Sequence, residues 1–90
     1  MELKRVVITG IGAISPLGNT AQETWEAVVA GKSGAAPITL FDASKFKTTF
    51  ACEVKDFDVA KYIDRKEARR LDRYAQFAMV AAEESIADSK

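Results

Sequence analysis

The sequence predicts an α/β fold, and three observations predict it. A run of β-branched residues, Val6-Val7-Ile8, stops at Gly10 and Gly12; such a run suits a strand covered on both faces, the setting of a sheet flanked by helices. Thr20 and Glu23 stand three apart before an apolar-periodic stretch, the pattern of a capping box. From Asp64 onward, apolar residues recur at helical spacing. Strand, helix, strand and helix in that order make an alternating chain.

The first strand is expected over residues 3–9, with Gly10 and Gly12 making a tight turn and 15–19 a loop. The first helix spans 21–30, carries Trp25, Val28 and Val29 on one side, and ends at Gly31 as a left-handed cap. Residues 32–47 read as irregular, punctuated by Ser33-Gly34 and Pro37 and pinned by Phe41 and Phe46. The second strand covers 48–54, where alternation makes Cys52 a small buried hydrophobe. Asp58 caps a single turn over 59–63. Asp64 begins a helix over 65–88, about 36 Å long at ~1.5 Å per residue. Its stripe is Leu71, Tyr74, Ala75, Ala78, Ala82 and Ile86; small alanines either let another backbone approach closely or simply reflect helix propensity. Two short strands are too little to cover it, and 88–90 closes nothing. The expectation is one incomplete N-terminal domain, 1–90.

The 90 residues are 48% hydrophobic and 29% charged, ordinary for a soluble globular chain. A domain this short buries roughly 60–65% of its unfolded surface. Thirteen basic and thirteen acidic residues balance, which argues against a nucleic-acid-coating protein. Residues 61–73 nevertheless hold six basic residues (Lys61, Arg65, Lys66, Arg69, Arg70, Arg73) against three acidic ones (Asp64, Glu67, Asp72), a local excess of +3. A single cysteine and no histidine exclude a disulfide framework, a Cys/His zinc site, a Ser–His triad and a Cys–His nucleophile within these residues. The opening apolar run is too short for a signal peptide, and nothing approaches the ~18–20 apolar residues of a membrane span. A cytosolic protein is the default expectation, with neither a membrane nor nucleic acid as partner.

Motif by motif, the chemistry narrows. Gly10-Ile11-Gly12 would need a third glycine at Ser15 to bind a dinucleotide, and Pro16 follows instead of a helix. Short-chain dehydrogenases would want glycines at Ile14 and Pro16. Gly31-Lys32-Ser33 lacks the earlier glycine of a phosphate loop, because Glu26 stands there. A reactive cysteine needs a base, a cationic neighbour or a helix start; Cys52 has no histidine to serve as base and sits in a strand. The basic segment is the best functional candidate. On one continuous helix, Lys66–Arg70 and Arg69–Arg73 are four apart, each pair costing about 0.2–0.5 kcal/mol. Cations at a helix N-terminus cost about 0.3–1 kcal/mol more. Glu67–Arg70 and Arg69–Asp72 recover part of this. Two readings remain on charge alone: a docking face for an anionic partner, or an ordinary solvated face.

The stretch Val6-Val7-Ile8-Thr9-Gly10-Ile11-Gly12-Ala13-Ile14-Ser15-Pro16-Leu17-Gly18-Asn19-Thr20 resembles the opening of β-ketoacyl-acyl-carrier-protein synthases, closest to the elongating synthase II branch. Trp25, Gly31-Lys32-Ser33-Gly34, Phe41-Asp42, Glu53-Val54, Phe57-Asp58 and Arg65-Lys66-Glu67-Ala68-Arg69-Arg70-Leu71-Asp72 fit the same pattern. The resemblance covers the chain from near residue 4 to its end. It departs at Cys52, where many relatives carry glycine.

The resemblance implies the N-terminal part of a thiolase-like fold of layers α-β-α-β-α, normally a homodimer. It implies decarboxylative Claisen condensation of acyl chains with malonyl carrier protein, by a nucleophilic cysteine and two histidines and without a cofactor. Those three residues lie beyond residue 90 in the family, so no catalytic residue is assigned here and the segment alone is expected to be inactive. What it does transfer is acyl-carrier-protein docking by Lys66, Arg69 and Arg70, with Arg65 beside them. Two other readings stand beside it. One is a polyketide ketosynthase or its chain-length partner; the other is a small non-catalytic module that binds carrier protein or nucleic acid through the basic helix.

Overall fold

Hydrogen bonding decides which of the expected strands forms. A computed structural model describes residues 2–90. In it the only sheet among the described residues is a two-stranded one, β1 (Ala35–Pro37) with β2 (Phe50–Cys52). The pairing is antiparallel, Ala35 opposite Cys52 and Pro37 opposite Phe50, and Ile38 N donates to Thr49 O at 2.9 Å just beyond it. Pro37 is thus a strand residue and not mere punctuation, tolerated because both strands are edges. The expected strand over 3–9 is not formed, since no neighbouring strand pairs with it: Leu3, Val6 and Ile8 are 88%, 89% and 84% exposed. The strand expected over 48–54 shortens to β2. Its alternation turns Ala51 inward and leaves Phe50 and Cys52 on an uncovered face. Cys52 is therefore exposed, contrary to expectation. Phe41 and Phe46 pack edge to face on each other at 5.8 Å and both stay exposed, so they brace the loop without reaching a core.

α1 (Ala21–Val29) forms where its caps specify. Thr20 Oγ1 accepts from Glu23 N at 3.1 Å. The reciprocal carboxylate takes Asn19 N at 3.1 Å in place of the Thr20 amide. At the other end Gly31 adopts φ 73°, and Gly31 N and Lys32 N donate to Val28 O and Ala27 O, a Schellman closure. The face that packs is Ala21, Thr24 and Ala27; Trp25, Val28 and Val29 turn outward.

Asp58 caps the single turn as expected, its Oδ1 accepting from Ala60 N at 3.1 Å ahead of a 3-10 turn, Val59–Lys61. The helix expected over 65–88 is two helices, α2 (Arg65–Ala68) and α3 (Arg73–Ser89). Between them Arg70 N and Leu71 N bond back three residues, to Glu67 O and Ala68 O. Gln76 Nε2 stitches the break by donating to Ala68 O at 3.0 Å and Leu71 O at 3.4 Å. The chain turns here because Ala68 and Leu71 both enter the cluster of Ile63, Ala68 and Val80, which Ile14, Phe57 and Val59 complete. The inward face of α3 is Phe77, Val80, Ala81, Glu84 and Ser85. Most of the expected stripe lies elsewhere: Tyr74 and Ile86 are 74% and 71% exposed. Close backbone approach does occur on α3, against Ala81 and Ser85, where Gly10 and Gly12 lie directly on the helix. Those glycines serve that approach and not a tight turn.

Candidate functional site

The basic segment is built on the short arc from the 3-10 turn to the start of α3. Ala68 and Leu71 anchor it inward, and the residues between and before them are left on the outside. Arg65, Lys66, Arg69 and Arg70 are all exposed. Arg65 and Arg69 stand one turn apart, Arg69 N donating to Arg65 O at 3.3 Å. Because α2 ends at Ala68, neither Lys66–Arg70 nor Arg69–Arg73 shares one helix. The like-charge cost expected for a continuous helix therefore does not apply in that form.

Arg73 leaves the group. Its Nη2 donates to Val54 O at 3.4 Å, and its guanidinium carbon lies 5.0 Å from the Phe77 ring centroid and 6.0 Å from that of Phe57. At these distances a cation is attracted to the ring faces, so Arg73 ties the hairpin side to α3. Lys55 has a similar task, donating to the carbonyls of Pro16, Gly34 and Glu53 at 3.3, 3.1 and 3.2 Å. Among the described residues these two are the basic side chains that bond to the chain's own groups.

Sequence reasoning missed Lys55 and Glu84. The Glu84 carboxylate accepts from Ala13 N at 2.9 Å and Ala21 N at 3.0 Å, joining the glycine segment to the start of α1. Its partners lie 71 and 63 residues away, and no local pattern marks them. Among the described residues no group of three His, Cys, Asp or Glu could hold a metal, and no helix is long and apolar enough to cross a membrane. The sequence has no histidine, and its one cysteine, Cys52, stands on an open hairpin face, so no Cys–His pair is brought together.

The arrangement has a close structural counterpart. A solved structure described as the ishigamide ketosynthase/chain length factor superposes with a TM-score of 0.83 at 38% identity, over 92% of this chain and 21% of that one. The fold class is thus α/β, the N-terminal part of the thiolase-like layered architecture. The profile of the β-ketoacyl synthase N-terminal domain matches residues 3–90, and the chain belongs to that family. Among curated relatives, a 3-oxoacyl-(acyl-carrier-protein) synthase 2 of Synechocystis sp. is 51% identical over 100% of this chain and 22% of its own length. A protein of the same name from Coxiella burnetii is 54% identical over 99% of this chain and 22% of its own. The chain therefore spans about a fifth of these relatives.

Proposed function

We propose that the chain is the opening segment of an elongating β-ketoacyl-acyl-carrier-protein synthase, active in the cytosol as a homodimer. The reaction is decarboxylative Claisen condensation. An acyl group moves from its carrier thioester to a cysteine thiolate. Malonyl carrier protein loses carbon dioxide, and the resulting carbanion attacks the acyl carbonyl and expels the thiolate. A thiolate nucleophile and donors at the thioester oxygen are what this needs. With no histidine in these residues, the segment does not supply that set.

Its own part is to receive the acyl carrier protein on Lys66, Arg69 and Arg70, with Arg65 beside them. The observation that carries this reading is that all four stand exposed on one outward arc while Arg73 and Lys55 are drawn into internal bonds. The relatives named as synthase 2, at 51% and 54% identity, favour fatty-acid elongation. The polyketide alternative rests on the ishigamide neighbour, at 38%.

The test is a triple charge reversal, Lys66→Glu, Arg69→Glu and Arg70→Glu, in the full-length protein that carries this segment. If each exposed contact contributes about 0.2–1 kcal/mol, carrier affinity falls about tenfold. The loss is largest at low salt, where the screening length reaches ~30 Å at 0.01 M. Unchanged affinity in a titration across that salt range removes the docking role.

A further inference from the structure

The β1–β2 pairing ends with Ala35 opposite Cys52, and side chains take up the carbonyls that follow. Glu53 O accepts from Lys55 Nζ at 3.2 Å, and Val54 O from Arg73 Nη2 at 3.4 Å. Lys55 O and Asp56 O both accept from Asn19 Nδ2, at 3.2 and 3.1 Å. Asn19 and Lys55 thus reach across the same gap in opposite directions. Asn19, in the loop before α1, donates to the Lys55 carbonyl. Lys55 donates back to Pro16 O of that loop at 3.3 Å, and to Gly34 O, just ahead of β1, at 3.1 Å. Asp56 takes φ 55°, a left-handed conformation that a non-glycine residue adopts at a cost. Asn19 Oδ1 is buried and has no partner among the described residues. The amide is therefore placed for its two donors and not for its acceptor; flipped, it would set its oxygen against two carbonyls.

We propose that Asn19 and Lys55 form one reciprocal latch, which fastens both ends of the β1–β2 hairpin to the loop before α1 and holds Asp56 left-handed. The ends it grips are Gly34, ahead of β1, and Glu53 to Asp56, after β2. Gly34 already lies against that loop, where an added Cβ would stand 2.9 Å from Pro16 Cβ. Apolar packing offers the hairpin little else, since the half-buried residues of its two strands are Ala36 and Ala51. Each side chain works through the other's backbone. The Asn19 amide fixes the main chain from which the ammonium extends, and the ammonium fixes the loop from which the amide extends. Losing either frees the other, so the two contributions are coupled and not additive.

The experiment is hydrogen exchange in the full-length protein, read over residues 13–20 and 48–58, with the α1 amides of residues 24–29 as the internal reference. Removing both Asn19 donors with Asn19→Ala should speed exchange about tenfold on both sides of the latch and leave α1 unchanged. Lys55→Met should speed it about fivefold, because the ammonium is exposed and its bonds are partly screened. The double variant should be no faster than Asn19→Ala alone. Asn19→Asp, equal in shape but without donors, should be at least as fast as Asn19→Ala, since it sets an anion against two carbonyls. A milder effect of Asn19→Asp would mean that the side chain matters for its shape. A double variant whose acceleration is the product of the single ones would mean two separate anchors. Unchanged exchange in both single variants would mean that other contacts hold the hairpin, and equal acceleration in α1 would mean general destabilisation. Each of these four results overturns the latch.

Discussion

At Gly12 a missing Cβ decides how the chain begins. A Cβ there would collide with the carbonyl of Ala81, and one at Gly10 with the carbonyl of Ser85. The residues between and after them make the opposite use of the same helix. Ile11 N donates to Asp88 Oδ2 at 3.0 Å and Ala13 N to Glu84 Oε1 at 2.9 Å. Alternate residues thus lie against the helix backbone and hydrogen-bond to its carboxylates. Both colliding groups are main chain, so neither can swing aside, and Gly12→Ala in the full-length protein should cost about 3 kcal/mol, the upper end of the overpacking range. Gly31→Ala is the control. Gly31 has φ 73° with nothing within 4 Å of an added Cβ, so only the left-handed backbone penalty of about 1–2 kcal/mol applies. Denaturant unfolding ranks the two, and a smaller loss for Gly12→Ala than for Gly31→Ala would refute the close approach.

Elements whose signals are local were legible in the sequence, and those set by distant contacts were not. α1 is bounded by Thr20, Glu23 and Gly31, all within its own length, and it forms as expected. The basic arc was legible for the same reason, because charge along a short stretch can be counted. The break between α2 and α3 carries no glycine or proline. It arises because Ala68 and Leu71 both turn into the core and Gln76 reaches back to them. Arg73 looked like one more cation of the patch until the Val54 carbonyl, 19 residues earlier, claimed it. The hairpin offers a test at this scale. Glu53 accepts from Thr39 N at 3.1 Å, Thr39 Oγ1 at 2.9 Å and Leu40 N at 3.3 Å, closing the chain end of β1 onto that of β2. The Thr39 backbone amide above all holds the Glu53 carboxyl below its ordinary value. A depressed folded value means that the anion stabilises the hairpin at pH above the unfolded carboxyl's value, about 4.3. That contribution fades as pH falls through the lower, folded value. In the full-length protein that carries this segment, the Tm gap between the unmodified form and Glu53→Gln should accordingly narrow between pH 7 and pH 3.5. A gap of constant size across that range would mean that the carboxylate's charge does not hold the hairpin.

Across the whole molecule, the surface is too large for the chain. The accessible area is 7620 Å², whereas a folded monomer of this mass exposes roughly 5,200 Å². The radius of gyration is 16.6 Å, with extents of 59 × 37 × 27 Å, against about 12 Å for a compact domain of this length. Among the described residues the buried apolar ones are Ala27, Ala43, Ile63, Ala68 and Val80, three of them alanine, and even Val80 keeps 4% of its surface. Ordering each residue costs about 1–2 kcal/mol of backbone entropy, and so small a core cannot offset that. The apolar faces left open include those expected to be covered: Val6 and Ile8 of the unpaired segment, and Trp25 and Val28 of α1. Taken alone, then, the 90-residue chain should melt without a cooperative transition, bind a hydrophobic dye, and show no condensing turnover with malonyl carrier protein. Within the full-length protein the amides of Val6, Val7 and Ile8 should instead be strongly protected from hydrogen exchange, because a β-branched run of this kind is expected to pair with a strand on each edge, and successive amides point to opposite edges. A sharp, monomeric two-state melt of the isolated chain would show that its own core suffices. Fast exchange at residues 6–8 in the full-length protein would show that nothing pairs with them.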